Sequence, residues 1–111
     1  MHRRSEFLRA QRVGFRYQAA HFVIYAAKAP ENPRVRLGIT VSRKIGGAVV
    51  RNRIKRRVRE CFRQSLRQAI APGTDVVVIA RGGAGELDSS ALRAELAAAI
   101  TQLPSRLHVS P

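Results

Sequence analysis

Residues 50–63 read VRNRIKRRVRECFR, and seven of these side chains are Arg or Lys against one acid, Glu60. Cations at this density suit one task above others, which is to neutralise a row of phosphates. Read as a helix, the stretch places Lys55, Arg59 and Arg63 in an i, i+4 row. Asn52, Arg56, Arg63 and Arg67 fall in the adjoining rows, so one flank is almost purely cationic. Like charges at that spacing cost about 0.2–0.5 kcal/mol per pair in an isolated helix. Glu60 can offset only Arg56, Arg57 or Arg63. Arg outnumbers Lys seven to one across residues 51–67. A guanidinium forks onto phosphate oxygens and stacks on bases, which a point-like ammonium cannot do. Just upstream, SRKIGGAV (42–49) brings Arg43 and Lys44 to a strand end. Gly46-Gly47 then lets backbone N–H groups approach an anion at the helix N-terminus. Beside Arg43, Lys44, Arg51 and Arg53 the phosphate reading is better than that of a plain tight turn.

Hydrolytic chemistry has far fewer candidates. The acids are Glu6, Glu31, Glu60, Asp75, Glu86, Asp88 and Glu95, and His2, His21 and His108 are scattered. A nuclease in its own right needs convergent carboxylates or a His-based acid–base pair, and no such grouping is visible in the order of residues. The single cysteine, Cys61, can form neither an internal disulfide nor a cysteine cluster for metal and is expected in the core.

The elements that must position the cations follow from the hydropathy pattern. SEFLRAQR (5–12) suits a short helix capped by Ser5. HFVIYAA (21–27) reads as a strand and KAPENPR (28–34) as a turn. RVRLGITVS (34–42) alternates Val35, Leu37, Ile39 and Val41 against Arg34, Arg36, Gly38, Thr40 and Ser42, as a half-buried strand does. A helix runs from after Gly47 to about residue 70, with Ile54, Val58, Cys61, Phe62, Ser65 and Ala69 as its packed arc. Pro72-Gly73 ends it. VVVIA (76–80) reads as a central strand. Asp88 or Ser89 caps a last helix striped by Leu92, Leu96, Ile100 and Leu103, and Pro104 stops it, leaving residues 104–111 as a flexible tail. The order α-β-β-α-β-α predicts an α+β fold, a small single-domain sandwich built on a hairpin of two strands, a returning strand and two longer helices.

Length and charge narrow the class. The chain has 111 residues, room for one domain. Residues 1–67 carry 18 basic and 3 acidic groups, a net of +15, whereas residues 68–111 carry 3 and 4, a net of −1. A charge confined to one part repels itself unless a polyanion lies against it. No apolar run approaches the roughly 18 residues of a membrane helix, and the N-terminus lacks the apolar stretch of a signal peptide. A cytoplasmic protein is expected. A membrane-surface role fits poorly, because the apolar arc is narrow and the core needs it.

With these residues assembled, GITVSRKIGGAVVRNRIKRRVRECFR (38–63) and DVVVIAR (75–81) together resemble the protein subunit of bacterial ribonuclease P, with weaker likeness through HFVIY and SEF. RNRIKRR after an IGGAV loop is long and oddly composed, which makes a chance match improbable. The resemblance implies a fold like the second domain of ribosomal protein S5. It also implies a left-handed β-α-β crossover, against the right-handed rule that holds in about 98% of cases. It implies a ribonucleoprotein that removes the 5′ leader of precursor tRNA, with catalysis by an RNA subunit and its Mg²⁺. In that family the protein binds the catalytic RNA and the leader, and no obligate protein partner is inferred. On matching positions, Arg43, Lys44, Arg51, Asn52, Arg53, Lys55, Arg56 and Arg59 would face the RNA subunit. Phe7, Val23 and Tyr25 would line the leader cleft, with Arg12 and Arg16 nearby. Gln11 stands where some members carry a second aromatic. Phe7, Phe22 and Tyr25 could equally be core on periodicity alone. An RNA-binding structural protein of the ribosome is the alternative, and an independent protein nuclease the third reading.

Overall fold

Five consecutive apolar residues, VVVIA at 76–80, decide the sheet. In the computed structural model, which describes residues 14–29, 33–104 and 107, four strands form one sheet. They are β1 (Phe15–Gln18), β2 (Phe22–Lys28), β3 (Arg36–Thr40) and β4 (Thr74–Ala80), in the order β1-β2-β4-β3. β4 carries Val76 and Val78 on one face and Val77 and Ile79 on the other, and a strand apolar on both faces belongs in the middle. It pairs antiparallel with β2 and parallel with β3. The α+β class therefore holds, and the expected hairpin of the second and third segments does not. β4 inserts between them, because it alone offers both neighbours a buried ladder.

β1 is an element that the sequence reading left out. FRYQ alternates Phe15 and Tyr17 against Arg16 and Gln18 over only four residues, too short a run to stand out. It closes on β2 through a tight turn in which the Ala19 N–H donates to the Phe22 carbonyl at 2.8 Å. The predicted helix over 5–12 lies outside the described residues.

Two helices cover one face of the sheet, α1 (Ala48–Cys61) and α2 (Ser89–Thr101). Ile54, Val58 and Cys61 of α1 meet Phe22, Ile24, Val76 and Val78 of the sheet and Leu92, Leu96 and Ile100 of α2 in one buried cluster. Beyond Cys61 the helical path opens into a π-helical turn (Phe62–Leu66) and tightens into a 3₁₀ turn (Arg67–Ala69). The wider turn rotates the buried side by one residue. Leu66 and Ile70 are consequently buried, and Ser65 and Ala69, placed on the packed arc by a regular wheel, are exposed. Ser65 bonds its hydroxyl back to the Cys61 carbonyl at 3.0 Å, the local alternative that such residues commonly take. In α2 the capping residue is Asp88, whose Oδ1 accepts from the Ala91 N–H at 2.7 Å. Leu92, Leu96, Ile100 and Leu103 are all buried. Within the stretch expected as tail, Leu107 is buried and its carbonyl accepts from the Ala71 N–H at 2.8 Å.

Candidate nucleic-acid interface

The sides of α1 differ in what they touch. Ile54 and Val58 point to the sheet. On the outer crest, Asn52, Arg56 and Arg59 are exposed, and none of these side chains hydrogen-bonds or pairs with a described residue. Lys55 and Arg51 lie between crest and sheet, half-buried, and the Arg51 Nε is buried without a partner among the described residues. Glu60 is the acid of this helix, and its Oε2 accepts from Arg63 Nη2 and Gln64 Nε2, each at 3.2 Å. Of the three cations it could offset, it serves the one farthest along the chain. The crest cations stay uncompensated.

Arg53 and Arg57 lie on the opposite flank and have protein partners. Arg53 Nη2 donates to the Gly85 carbonyl at 3.2 Å, and Arg57 Nη1 to the Leu87 carbonyl at 2.8 Å. Both strap a short turn (Ala84–Glu86) onto α1. A β-carbon at Gly85 would meet Val50 Cγ1 at 2.9 Å, so the turn lies directly on the helix. Arg53, a member of the predicted cationic group, thus lies off the crest and is bonded to a protein carbonyl.

The loop before α1 keeps Arg43 and Lys44 exposed in a turn closed by Ile45 N–H to Ser42 carbonyl at 3.1 Å. The two glycines that follow have different reasons. A β-carbon on Gly46 would stand 3.0 Å from Val50, whereas Gly47, the N-cap, has open space around it. No side chain caps α1 and no acid occupies its first turn. The first N–H groups of a helix have no partner within it, and its dipole is positive at that end. The cationic loop and the uncapped helix start therefore act with the same sign.

A second group of predicted residues lies on the sheet face turned away from the two helices. The β1–β2 register sets Arg16 opposite Tyr25 and Gln18 opposite Val23. Arg16 Nε donates to Tyr25 Oη at 3.2 Å, and its guanidinium carbon stands 6.0 Å from the ring centroid. Tyr25 and Ile79 pack on Ala27 and Val77. Tyr25 is partly exposed, while Val23 is buried. Phe22, for which core and cleft were both open, faces the helices and is fully buried. Arg36 spans the same outer face to Asp75 with two bonds of 2.7 Å, which occupies a nearly buried carboxylate. Phe7, Gln11 and Arg12 lie outside the described residues.

Glu95 is engaged as well. Both Glu95 oxygens hold His21, one through its backbone N–H and one through Nδ1, each at 2.7 Å. Among the described residues no group of three or more His, Cys, Asp or Glu could hold a metal ion. Burial pushes the Cys61 thiol up, against smaller opposing contributions from the Ser65 hydroxyl and Arg93.

A family profile described as Ribonuclease P matches residues 1–104. The chain belongs to the ribonuclease P protein family. It is 51% identical over 75 residues to the ribonuclease P protein component of Geobacillus kaustophilus, a stretch covering 68% of this chain and 61% of that one. Against the component of Syntrophobacter fumaroxidans it is 41% identical over 103 residues, 93% of this chain and 86% of the other. The solved ribonuclease P protein of Thermotoga maritima superposes with a TM-score of 0.83 at 34% identity, covering 94% and 99% of the two chains. Ribonuclease P proteins are RNA-binding parts of a tRNA-processing ribonucleoprotein. The ribosomal alternative is set aside, because the family match lies with ribonuclease P over nearly the whole chain. No described helix is long and apolar enough to cross a membrane.

Sequence reasoning passed over Arg93. It is the lone basic residue of α2 and lies one turn from Ser89, yet it lines a recess of about 300 Å³ with Arg56 and Arg57 of α1. Its isolation in a nearly neutral segment was the signal available. Its meeting with α1 depends on how the helices pack.

Proposed function

We propose that this chain docks on the catalytic RNA of ribonuclease P through the crest of α1 and the loop before it. On this reading it also holds the 5′ leader of precursor tRNA, assisting Mg²⁺-dependent removal of that leader in the cytoplasm. Arg43, Lys44, Arg51, Asn52, Lys55, Arg56 and Arg59 meet the RNA subunit. Arg53 adds what its remaining donors allow after the bond to Gly85. The observation that carries the reading is Arg56, which is exposed and unpaired among described residues on a helix whose acid serves Arg63.

Catalysis then belongs to the RNA. The described acids are spent on Arg63, Arg36, His21 and a helix cap, or stand alone as Glu86 does, and they do not gather for metal. Mg²⁺ would be held mainly by the RNA subunit, and no step is assigned to metal on this chain. For the leader, the ring of Tyr25, backed by Val23 and flanked by Arg16, offers an apolar surface and a cation. Stacking on such a surface accepts bases of any identity, and Phe7, Gln11 and Arg12 would complete the cleft.

Cleavage of precursor tRNA at low Mg²⁺ by a bacterial ribonuclease P RNA, with and without this protein, tests the proposal. Faster cleavage at the leader junction when both are present is expected. An unchanged rate would sink it, and cleavage by the protein alone would overturn the assignment of catalysis to RNA.

A further inference from the structure

The crest of α1 does not end at open solvent on every side. Between α1 and the start of α2 lies the recess of about 300 Å³ in which Arg56 and Arg57 approach Arg93 and Ser89. Its lining brings together three guanidiniums and one carboxylate, that of Glu60. Glu60 gives an oxygen to Arg63 and Gln64 instead. Arg57 spends one donor on the Leu87 carbonyl and Arg93 makes one long contact of 3.4 Å to Gln64, so most of their N–H groups have no acceptor there. Arg56 spends none on described residues.

The start of α2 adds donors of the same sign. Asp88 satisfies Ala91 through its side chain and Leu92 through its carbonyl. The N–H groups of Ser89 and Ser90 are therefore the ones that helix geometry leaves without partners, and Ser89 borders the recess. Three guanidiniums and a positive helix end outweigh the one carboxylate of the lining, which is already paired with Arg63, so the depression favours an added anion.

We propose that this recess is a phosphate site, distinct from the outer loop and sheet face, that seats one backbone phosphate of the RNA docked on α1. The RNA part rests on the functional reading above; the anion part does not. Arg56 is the shared residue. A strand lying along the crest passes over it, and a neighbouring phosphate then reaches Arg93 and the α2 N-terminus. A tetrahedral oxyanion can accept from two guanidiniums and a backbone N–H at once, and bidentate guanidinium–phosphate pairs are the strong form of this contact.

Arg93→Gln is the discriminating variant, because Arg93 is exposed, lies outside the core and is absent from the family-derived contact set. Titration of the protein alone with inorganic phosphate, followed by amide NMR, should shift Ser89 and Ser90 saturably in the native chain and not in R93Q. Binding of a bacterial ribonuclease P RNA over a salt series should lose about one unit of log–log slope in R93Q, with Arg93→Lys recovering most of it. Unmoved Ser89 and Ser90 amides would overturn the site. Saturable phosphate shifts with an unchanged RNA slope would overturn the RNA assignment and leave a site for free phosphate. Failure of the native chain to bind that RNA would overturn the functional reading, while the phosphate titration still decides the recess.

Discussion

Arg53 and Arg56 are three residues apart on one helix and carry the same charge, yet they do different work. Arg53 reaches back to the Gly85 carbonyl and holds a turn against α1, whereas Arg56 stands exposed with no described partner. The local sequence, RNRIKRR, gives no hint of the split. The difference arises because the turn at 84–87 gives carbonyl acceptors to one flank of α1, while no described residue gives one to Arg56 on the crest. A count of cations therefore overstates an interface, and the useful quantity is the number of cations left without protein acceptors.

That contrast can be broken by mutation. Arg56→Ala with Arg59→Ala should cost the most, roughly 100-fold in affinity for ribonuclease P RNA and about two units of salt slope, with the melting temperature unchanged. A binding series in salt together with thermal unfolding checks both; an unchanged slope would mean that the crest meets no phosphate. Gly85→Ala probes the strapped flank. A new methyl against Val50, 2.9 Å away, should destabilise the fold by about 1–3 kcal/mol in denaturant unfolding. Full stability there would show that the turn is not tightly seated.

Tyr25→Ala extends the comparison to the sheet face. Loss of a stacking surface is worth about 1–3 kcal/mol per base, so affinity for precursor tRNA should fall roughly 10-fold with little change for mature tRNA. Equal losses for both would remove Tyr25 from the leader site. The smallest effect belongs to Arg53→Ala, which should cost about 1 kcal/mol of stability and less salt slope than Arg56→Ala. The distinction between the flanks fails if Arg53→Ala matches Arg56→Ala in slope while leaving stability untouched.

Much of this was legible in the order of residues. The stripe Leu92, Leu96, Ile100 and Leu103 and the arc Ile54, Val58 and Cys61 are buried as their spacing requires. Phe22 and Tyr25 lie on opposite faces, as alternation along a strand dictates. The exposure of Ser65 and Ala69 was not legible, because a π-helical turn shifts the phase of a helix without a sequence mark that a regular wheel can detect. Neither was β1, since four alternating residues acquire their meaning only beside β2.

The sequence by itself determined the charge asymmetry, the β-α-β succession around VRNRIKRRVRECFR and the family, because composition and local periodicity are properties of neighbours along the chain. Tertiary structure alone decided which cations remain unpaired. Carbonyls at Gly85 and Leu87 reach Arg53 and Arg57 from about thirty residues away, as the separations of 32 and 30 show. It also placed β4 between β2 and β3 and set Arg93 across from Arg56. These are meetings of distant segments, fixed by how two helices share one face of a sheet.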